Sequence, residues 1–246
     1  MTVVSSVDDE VIADLAPRGV LRAAINLGNP VLAQGPPSAP AGVTADIARE
    51  LAARLGVAAD LTCFGAARES FEAMARGDAD ICFLAIEPAR AAQVAFTAPY
   101  VVIEGVYVVP AGSGLTAAAD VDTEGVRIGV NEGSAYDLFL SRTLRRASLV
   151  RGADGIGLFR GQGLEAAAGI RQVVGDFTAR IPGFRMIDEG FMQIRQALGT
   201  TLTRAPATVR FLAAFVEELK ASGFIGDALR LSGQDGALVA PPGAVS

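Results

Sequence analysis

Short apolar runs alternating with amphipathic stretches that stop on glycine constrain this chain more than any other feature. Residues 19–25 (GVLRAAI) read as a buried strand, halted by Asn26-Leu27-Gly28-Asn29-Pro30. In residues 44–55, Ile47, Leu51 and Leu55 recur every four positions, Ala48 and Ala52 widen the stripe, and Gly56 supplies the stop, which predicts a helix. Residues 60–64 predict a second strand. Residues 67–76 predict a helix with Phe71 and Met74 inward and Gly77 behind it, and residues 80–85 (DICFLA) a third, wholly apolar strand. Strand, helix, strand, helix, strand predicts a parallel sheet with crossover helices, and hence an α/β fold.

The same grammar returns later. An apolar run at 101–109 ends in the break Pro110-Ala111-Gly112-Ser113-Gly114, and a second α/β set starts at 126–130. The turn Asn131-Glu132-Gly133-Ser134 follows, then a helix to about Ala147, with Ser134 and Asp137 at capping-box spacing. Weaker strand patterns fall at 148–151, 165–168 and 184–187. Two strong helices, 206–221 and 224–231, close the chain around Gly223, leaving Ala240-Pro241-Pro242-Gly243 as a frayed tail. Residues 1–17 read as a short amphipathic lead-in, and 34–42, with three prolines, as a loop. Two similar lobes are expected, and 246 residues suffice for them.

Composition removes whole classes of chemistry. There is no histidine, so serine–histidine and cysteine–histidine nucleophile pairs and histidine-ligated zinc sites are excluded. Cys63 and Cys82 form no CxxC motif and are too few for a zinc cage; both read as buried small hydrophobes. No metal and no cofactor is expected. A net charge of −6 repels phosphate backbones, so no nucleic-acid partner is expected. The start Met1-Thr2-Val3-Val4-Ser5-Ser6, turning acidic at Asp8, lacks the pattern of a signal peptide. The longest apolar stretch, 94–109, contains Pro99 and Glu104, so no membrane insertion is expected. The loose G-x-G-x-x-A of residues 161–166 follows no convincing strand and reads as a loop.

Two strand-to-helix turns are the candidate sites, because in open α/β sheets ligands settle beyond the carboxyl ends of the strands. The first is Leu84-Ala85-Ile86-Glu87-Pro88-Ala89-Arg90 and the second Asn131-Glu132-Gly133-Ser134. Arg90 has two readings from its position alone. Its planar fork suits bidentate capture of a carboxylate, and its long stem equally suits a surface arginine lying over its own helix.

The runs GVLRAAINLGNP, GVTADIARELAARLGV, FEAMARGDADICFLAIEPARAAQVAFTAPY and GVRIGVNEGSAYDLFL resemble the family 3 solute-binding proteins, the receptors of polar amino-acid ABC transporters. The most specific piece is the succession Gly77–Asp80, apolar strand, Arg90, then Phe96-Thr97-Ala98-Pro99-Tyr100. The resemblance is good over about 17–150, moderate over the last helices and poor over 151–200. It implies a two-lobed, type II periplasmic-binding-protein-like fold, each lobe a mostly parallel sheet flanked by helices, with two crossover strands as hinge. Residues 1–109 with 197–246 would form lobe 1 and 110–196 lobe 2.

The resemblance also implies a ligand set. Arg90 stands where family members hold a ligand α-carboxylate, with Ala85 and Ile86 on the approach to it. Ser134, Ala135 and the backbone of Gly133 stand at the second lobe's turn. Asn26 and Asn29 match first-strand turn positions, and Phe64 or Ala67 lies near the usual apolar lid. The sequence departs from the pattern in places. Glu87 replaces a threonine, the gap from Asp80 to Arg90 is shorter, and the acid that pairs with a ligand ammonium is not evident near Ile170 or Arg171. A buried ammonium without a partner is costly, so a carboxylate or small polar organic acid is expected to suit Arg90 and Arg171 better than a standard amino acid.

The implied role is a non-catalytic binding protein for a small carboxylate or amino-acid ligand, working as a monomer with an ABC permease in the periplasm. The leaderless start keeps a cytoplasmic sensor open. An enzyme resembling cyclohexadienyl dehydratases is the other alternative; it would need an acid of raised pKa, for which Glu165, Glu132 and then Glu87 are the candidates.

Overall fold

In the computed structural model, which describes residues 7–234 and 236–243, the chain divides into unit 1 (Met1–Val101 with Gln196–Ser246) and unit 2 (Val102–Arg195). Met1–Ser6, on which the reading of the leader rests, lies outside the described residues. Among the described residues no helix is long and apolar enough to cross a membrane, and no cluster of side chains could hold a metal ion.

Unit 1 is built on β1 (Val20–Asn26), β2 (Ala58–Phe64) and β3 (Ile81–Ala85). β1 pairs in parallel with both, so the carboxyl ends of all three lie at one edge of the sheet. Every residue of β3 is buried, as its unbroken apolar run requires of a central strand. Helix α1 (Asp9–Leu15) realises the amphipathic lead-in. Helix α2 (Val43–Leu55) buries Ile47, Ala48, Leu51, Ala52 and Leu55, and Gly56 ends it in the left-handed conformation at φ 69°. The crossover helix α3 (Ala67–Ala75) and the single-turn α4 (Pro88–Ala91) follow β2 and β3. At the amino end of the sheet, the buried Asp80 carboxylate accepts from Arg22 Nη2 at 2.8 Å and from Arg204 Nη2 at 3.0 Å. Arg204 also donates to the Asp14 carbonyl, and Thr208 Oγ1 donates to the Asp14 carboxylate at 2.6 Å. This network ties α1, β1 and β3 to a segment more than a hundred residues away.

Unit 2 has the parallel strands β5 (Arg127–Asn131), β6 (Ser148–Gly152) and β7 (Ala166–Ile170), with β5 in the centre. The 17-residue β4 (Val94–Pro110) leaves unit 1 and runs antiparallel to β7, and the 18-residue β8 (Phe184–Thr201) returns to lie antiparallel to β3. α5 (Ala135–Thr143) and α6 (Gly155–Gln162) follow β5 and β6, and α7 (Arg171–Arg180) follows β7. α6 seats closely on β5 because Gly129 and Gly155 face each other; a Cβ on Gly155 would lie 2.7 Å from the Val130 backbone. The final helices, α8 (Pro206–Ala221) and α9 (Phe224–Leu231), match their expected bounds.

Several expectations are corrected. The chain crosses between units inside β4, at Val101, rather than at the Pro110 break, which marks only the end of the strand. The second crossing falls at Gln196, one residue before the expected 197. The helix expected to reach Ala147 stops at Thr143, because Asp122 draws the backbone N–H groups of Arg145, Arg146 and Ala147 onto its carboxylate. Gly161–Ala166 is not a free loop: Gly161 and Gln162 end α6, Gly163 is its left-handed cap, and Ala166 already opens β7. The tail is held rather than frayed over its described part. β9 (Leu238–Val239) pairs with β4, Ala240 N donates to the Tyr100 carbonyl, and Gly243 N donates to Glu217. Cys63, expected to be buried, is half-buried, Cys82 is buried, and both are free thiols.

Candidate functional site

The edge of unit 1 formed by the carboxyl ends of β1, β2 and β3 collects most of the expected site residues. The parallel register sets Asn26 beside Phe64, and β3 delivers Ala85 and Ile86 one strand away. Phe64, with Ala67, packs on a buried cluster of Ala24, Met74, Cys82, Leu84 and Val94, which gives this edge an apolar floor. Cys82 in that floor is dry enough for burial to push its thiol up to about 12.

Arg90 lies in the single turn α4. The turn is set by Glu87, extended at φ −134° and ψ 142°, by Pro88 at the first helical position, and by the Glu87 carbonyl, which accepts from Arg90 N and Ala91 N at 3.0 and 2.8 Å. The Arg90 side chain turns back to the end of β3, where Nη1 donates to the Ala85 carbonyl at 3.2 Å. Only 2% of Arg90 is exposed, which disposes of a solvated arginine lying over its helix. Burial lowers its pKa to about 10 while nearby Glu87 acts in the opposite direction, so the guanidinium remains cationic at neutral pH. Glu87 is itself buried, at 4% exposed. Sequence reading passed over Gln196, a buried amide directly across from Ala85 in the β3–β8 register. No local signal marks it, since it arrives from a strand more than a hundred residues later.

The asparagines of this edge serve the backbone. Asn26 Oδ1 accepts from Gly28 N at 3.0 Å, and Asn29 Oδ1, buried, accepts from Val31 N at 3.2 Å. Their acceptor oxygens are therefore spent on turns of the Asx type. A solute could meet only what remains of these side chains.

In unit 2 the expected residues sit at the carboxyl ends of β5 and β7. Ser134 caps α5, accepting from Asp137 N at 3.1 Å, and Ala135 opens the helix buried. The reciprocal half of the box is displaced by one residue, since Asp137 Oδ2 accepts from Gly133 N at 2.8 Å. Asp137 is buried and also takes Arg151 Nε at 2.9 Å. The Gly133 N–H expected to meet a ligand thus already meets a carboxylate of the chain itself. Asn131 Oδ1 accepts from Gly155 N, which ties the next turn to this one.

Arg171 is already engaged by its own chain. Expected to hold a ligand carboxylate, it donates from Nε to Glu104 Oε2 and from Nη2 to the Asp188 carbonyl, each at 2.5 Å. The antiparallel register that sets Gly105 against Ile170 puts Glu104 beside it, a pairing invisible at a separation of 67 residues. Glu165 is engaged in the same way. It accepts from Arg127 Nη2 at 2.9 Å and Arg127 N at 2.8 Å, and the Arg127 contacts hold its carboxyl below the usual range, the opposite of what a general acid needs. Ile170, the other position near the missing ammonium partner, ends β7 half-buried.

A family profile described as bacterial extracellular solute-binding proteins, family 3, matches residues 21–230. No curated protein matches the chain. Among solved structures, a solute receptor for L-cysteine of Neisseria gonorrhoeae is 18% identical with a TM-score of 0.75, over 90% of this chain and 92% of that one. An amino-acid ABC transporter substrate-binding protein of Streptococcus pneumoniae, bound to L-arginine, is 18% identical with a TM-score of 0.72, over 89% and 98%. An ancestral amino-acid-binding protein, a precursor of cyclohexadienyl dehydratase, is 15% identical with a TM-score of 0.74, over 89% and 97%. These likenesses establish the fold, the mixed α/β fold of type II periplasmic binding proteins.

Proposed function

Because the chain belongs to the bacterial extracellular solute-binding proteins of family 3, we propose that it is a non-catalytic receptor of an ABC-transporter-type system for a small carboxylate-bearing solute. The solute is an amino acid or an organic acid, and the receptor works outside the cytoplasm. The observation that supports the reading most directly is the Arg90 guanidinium, kept cationic and almost wholly out of water at the carboxyl end of a central parallel strand. A guanidinium in dry surroundings attracts a carboxylate more strongly than one in water, and its fork fixes the direction of approach.

A thermal-shift screen of amino acids and organic acids tests this, since a solute that binds only the folded state raises its stability by mass action. The expected result is at least one stabilising solute. Arg90→Lys, which keeps the charge and loses the fork, should weaken that solute by about tenfold, close to 1.4 kcal/mol. Turnover of prephenate or arogenate by the purified protein would overturn the non-catalytic reading. Equal affinity of the Lys variant and the parent would remove Arg90 from the site.

A further inference from the structure

We infer that Gln196 is a solute-contacting residue: its amide takes a neutral hydrogen-bonding group, a hydroxyl or a carboxamide, of the solute whose carboxylate meets Arg90, and disfavours the analogue that carries methyl groups in that place. This rests on the solute-binding reading and deepens it with a specificity residue that comes from a distant part of the chain.

Gln196 is the residue with which the returning strand β8 enters unit 1, and it stands on the last rung of the β3–β8 ladder, opposite Ala85. Ala85 ends β3, and its carbonyl accepts from Arg90 Nη1. Paired strands lie about 5 Å apart, so the Gln196 side chain starts one strand spacing from the carbonyl on which the guanidinium rests. Only 6% of Gln196 is exposed, and among the described residues its amide makes no hydrogen bond.

Other buried polar side chains of unit 1 behave differently. Thr200, further along the same strand, donates from Oγ1 to the Asp80 carbonyl at 2.8 Å. Thr44 Oγ1 donates to the Leu32 carbonyl at 2.9 Å, and Asn29 Oδ1 accepts from Val31 N at 3.2 Å. Those groups hold the fold. Gln196 brings two N–H donors and one carbonyl acceptor to a strand end and joins none of them to the chain, and an amide buried without partners lowers stability. At the edge of an α/β sheet where ligands settle, a residue that weakens the unliganded fold in this way is one kept for binding. The amide is neutral, so its match is a neutral group that both donates and accepts. A methyl group in that place leaves it unsatisfied.

The test uses matched solutes that differ only by methyl groups in place of the polar atoms: threonine against valine, asparagine against leucine, and lactate against isobutyrate. Each is measured by calorimetry on the parent and on Gln196→Met, with the melting temperature of both unliganded proteins. In at least one pair the polar member should bind the parent about tenfold more tightly than its partner or better. In Gln196→Met that ratio should fall to about one, while the unliganded protein melts at the parent's temperature or about 2 °C above it, since no contact of the fold is lost. Apolar members that bind the parent as tightly as their polar partners would overturn the inference and leave the solute-binding reading standing. So would a ratio that survives in Gln196→Met. A Gln196→Met protein that melts well below the parent, or does not fold, overturns it too, because the amide then supports unit 1. Binding of none of the six solutes removes the inference, and failure of every solute in the wider screen removes the solute-binding reading as well.

Discussion

The two units end their parallel strands in the same way, yet the charge sunk deepest at those ends differs in sign. In unit 1 it is the Arg90 guanidinium, with Glu87 buried beside it. In unit 2 it is the Asp137 carboxylate, whose cation Arg151 is 43% exposed. Asp137 spends its charge on the turn itself, taking the Gly133 N–H that a bound carboxylate would otherwise take. Arg90 donates to the Ala85 carbonyl and keeps a cation in dry surroundings. One layout of strand, turn and helix thus serves two ends. In the first unit it buries a cation at the strand end, and in the second it uses a carboxylate to hold its own turn shut.

Four substitutions probe this contrast, beginning with the largest effect. The most costly buried charge lies at neither turn. Asp80→Ala would leave Arg22 and Arg204 facing each other without their carboxylate, and should cost unit 1 about 4 kcal/mol in urea unfolding. The same carboxylate predicts a pH dependence. Contacts with Arg22 and Arg204 hold its folded pKa below 3.8, so its contribution is fully present above about pH 4 and is lost as pH falls through the lowered folded value. An acid melt that the Asp80→Ala variant does not alter would contradict that.

Asp137→Ala should cost about 2 kcal/mol, less than Asp80 because Arg151 can turn to water, and hydrogen exchange should rise in α5 and β6 peptides only. A rise spread over both units would show that Asp137 does more than close its own turn. Ser134→Ala removes a helix cap and should cost about 1 kcal/mol. If it also abolished binding of a solute found in the screen, unit 2's turn would belong to the receptor after all. Arg180→Ala breaks only an exposed pair with Asp176 at 3.5 Å and should leave the melting temperature unchanged.

How far the sequence was legible follows from where its periodicity was clean. α2, α8 and the β3 run carry unbroken apolar patterns, and their bounds differ from expectation by at most one residue. α6 and α7 went unread because their patterns are thin; α6 opens Gly-Ile-Gly, and α7 buries only Val174. β8 was recognised at its first residues alone, since Asp188, Glu189 and Gly190 interrupt the apolar pattern before the buried run 196–200. β4 was shortened at its start by Pro99. At the candidate site, the position of Arg90 after β3 was legible because it depends on the strand just before it, whereas its burial was left open between two readings. The roles of Asn26, Asn29 and Arg171 were not. A short amide looks the same in a sequence whether it meets a solute or its own backbone, and Arg171 finds Glu104 only through strand pairing.

Unit 2 is one uninterrupted stretch, whereas unit 1 is assembled from the beginning and the end of the chain. On the ribosome the middle of the protein therefore emerges complete while the first part still lacks β8's last residues, α8 and α9, and with them Arg204 for Asp80 and Glu218 for Arg54. The part made first has to wait and the part made second can fold at once. Proteolysis of chains stalled at increasing lengths would show protection appearing in the middle segment before the amino-terminal one.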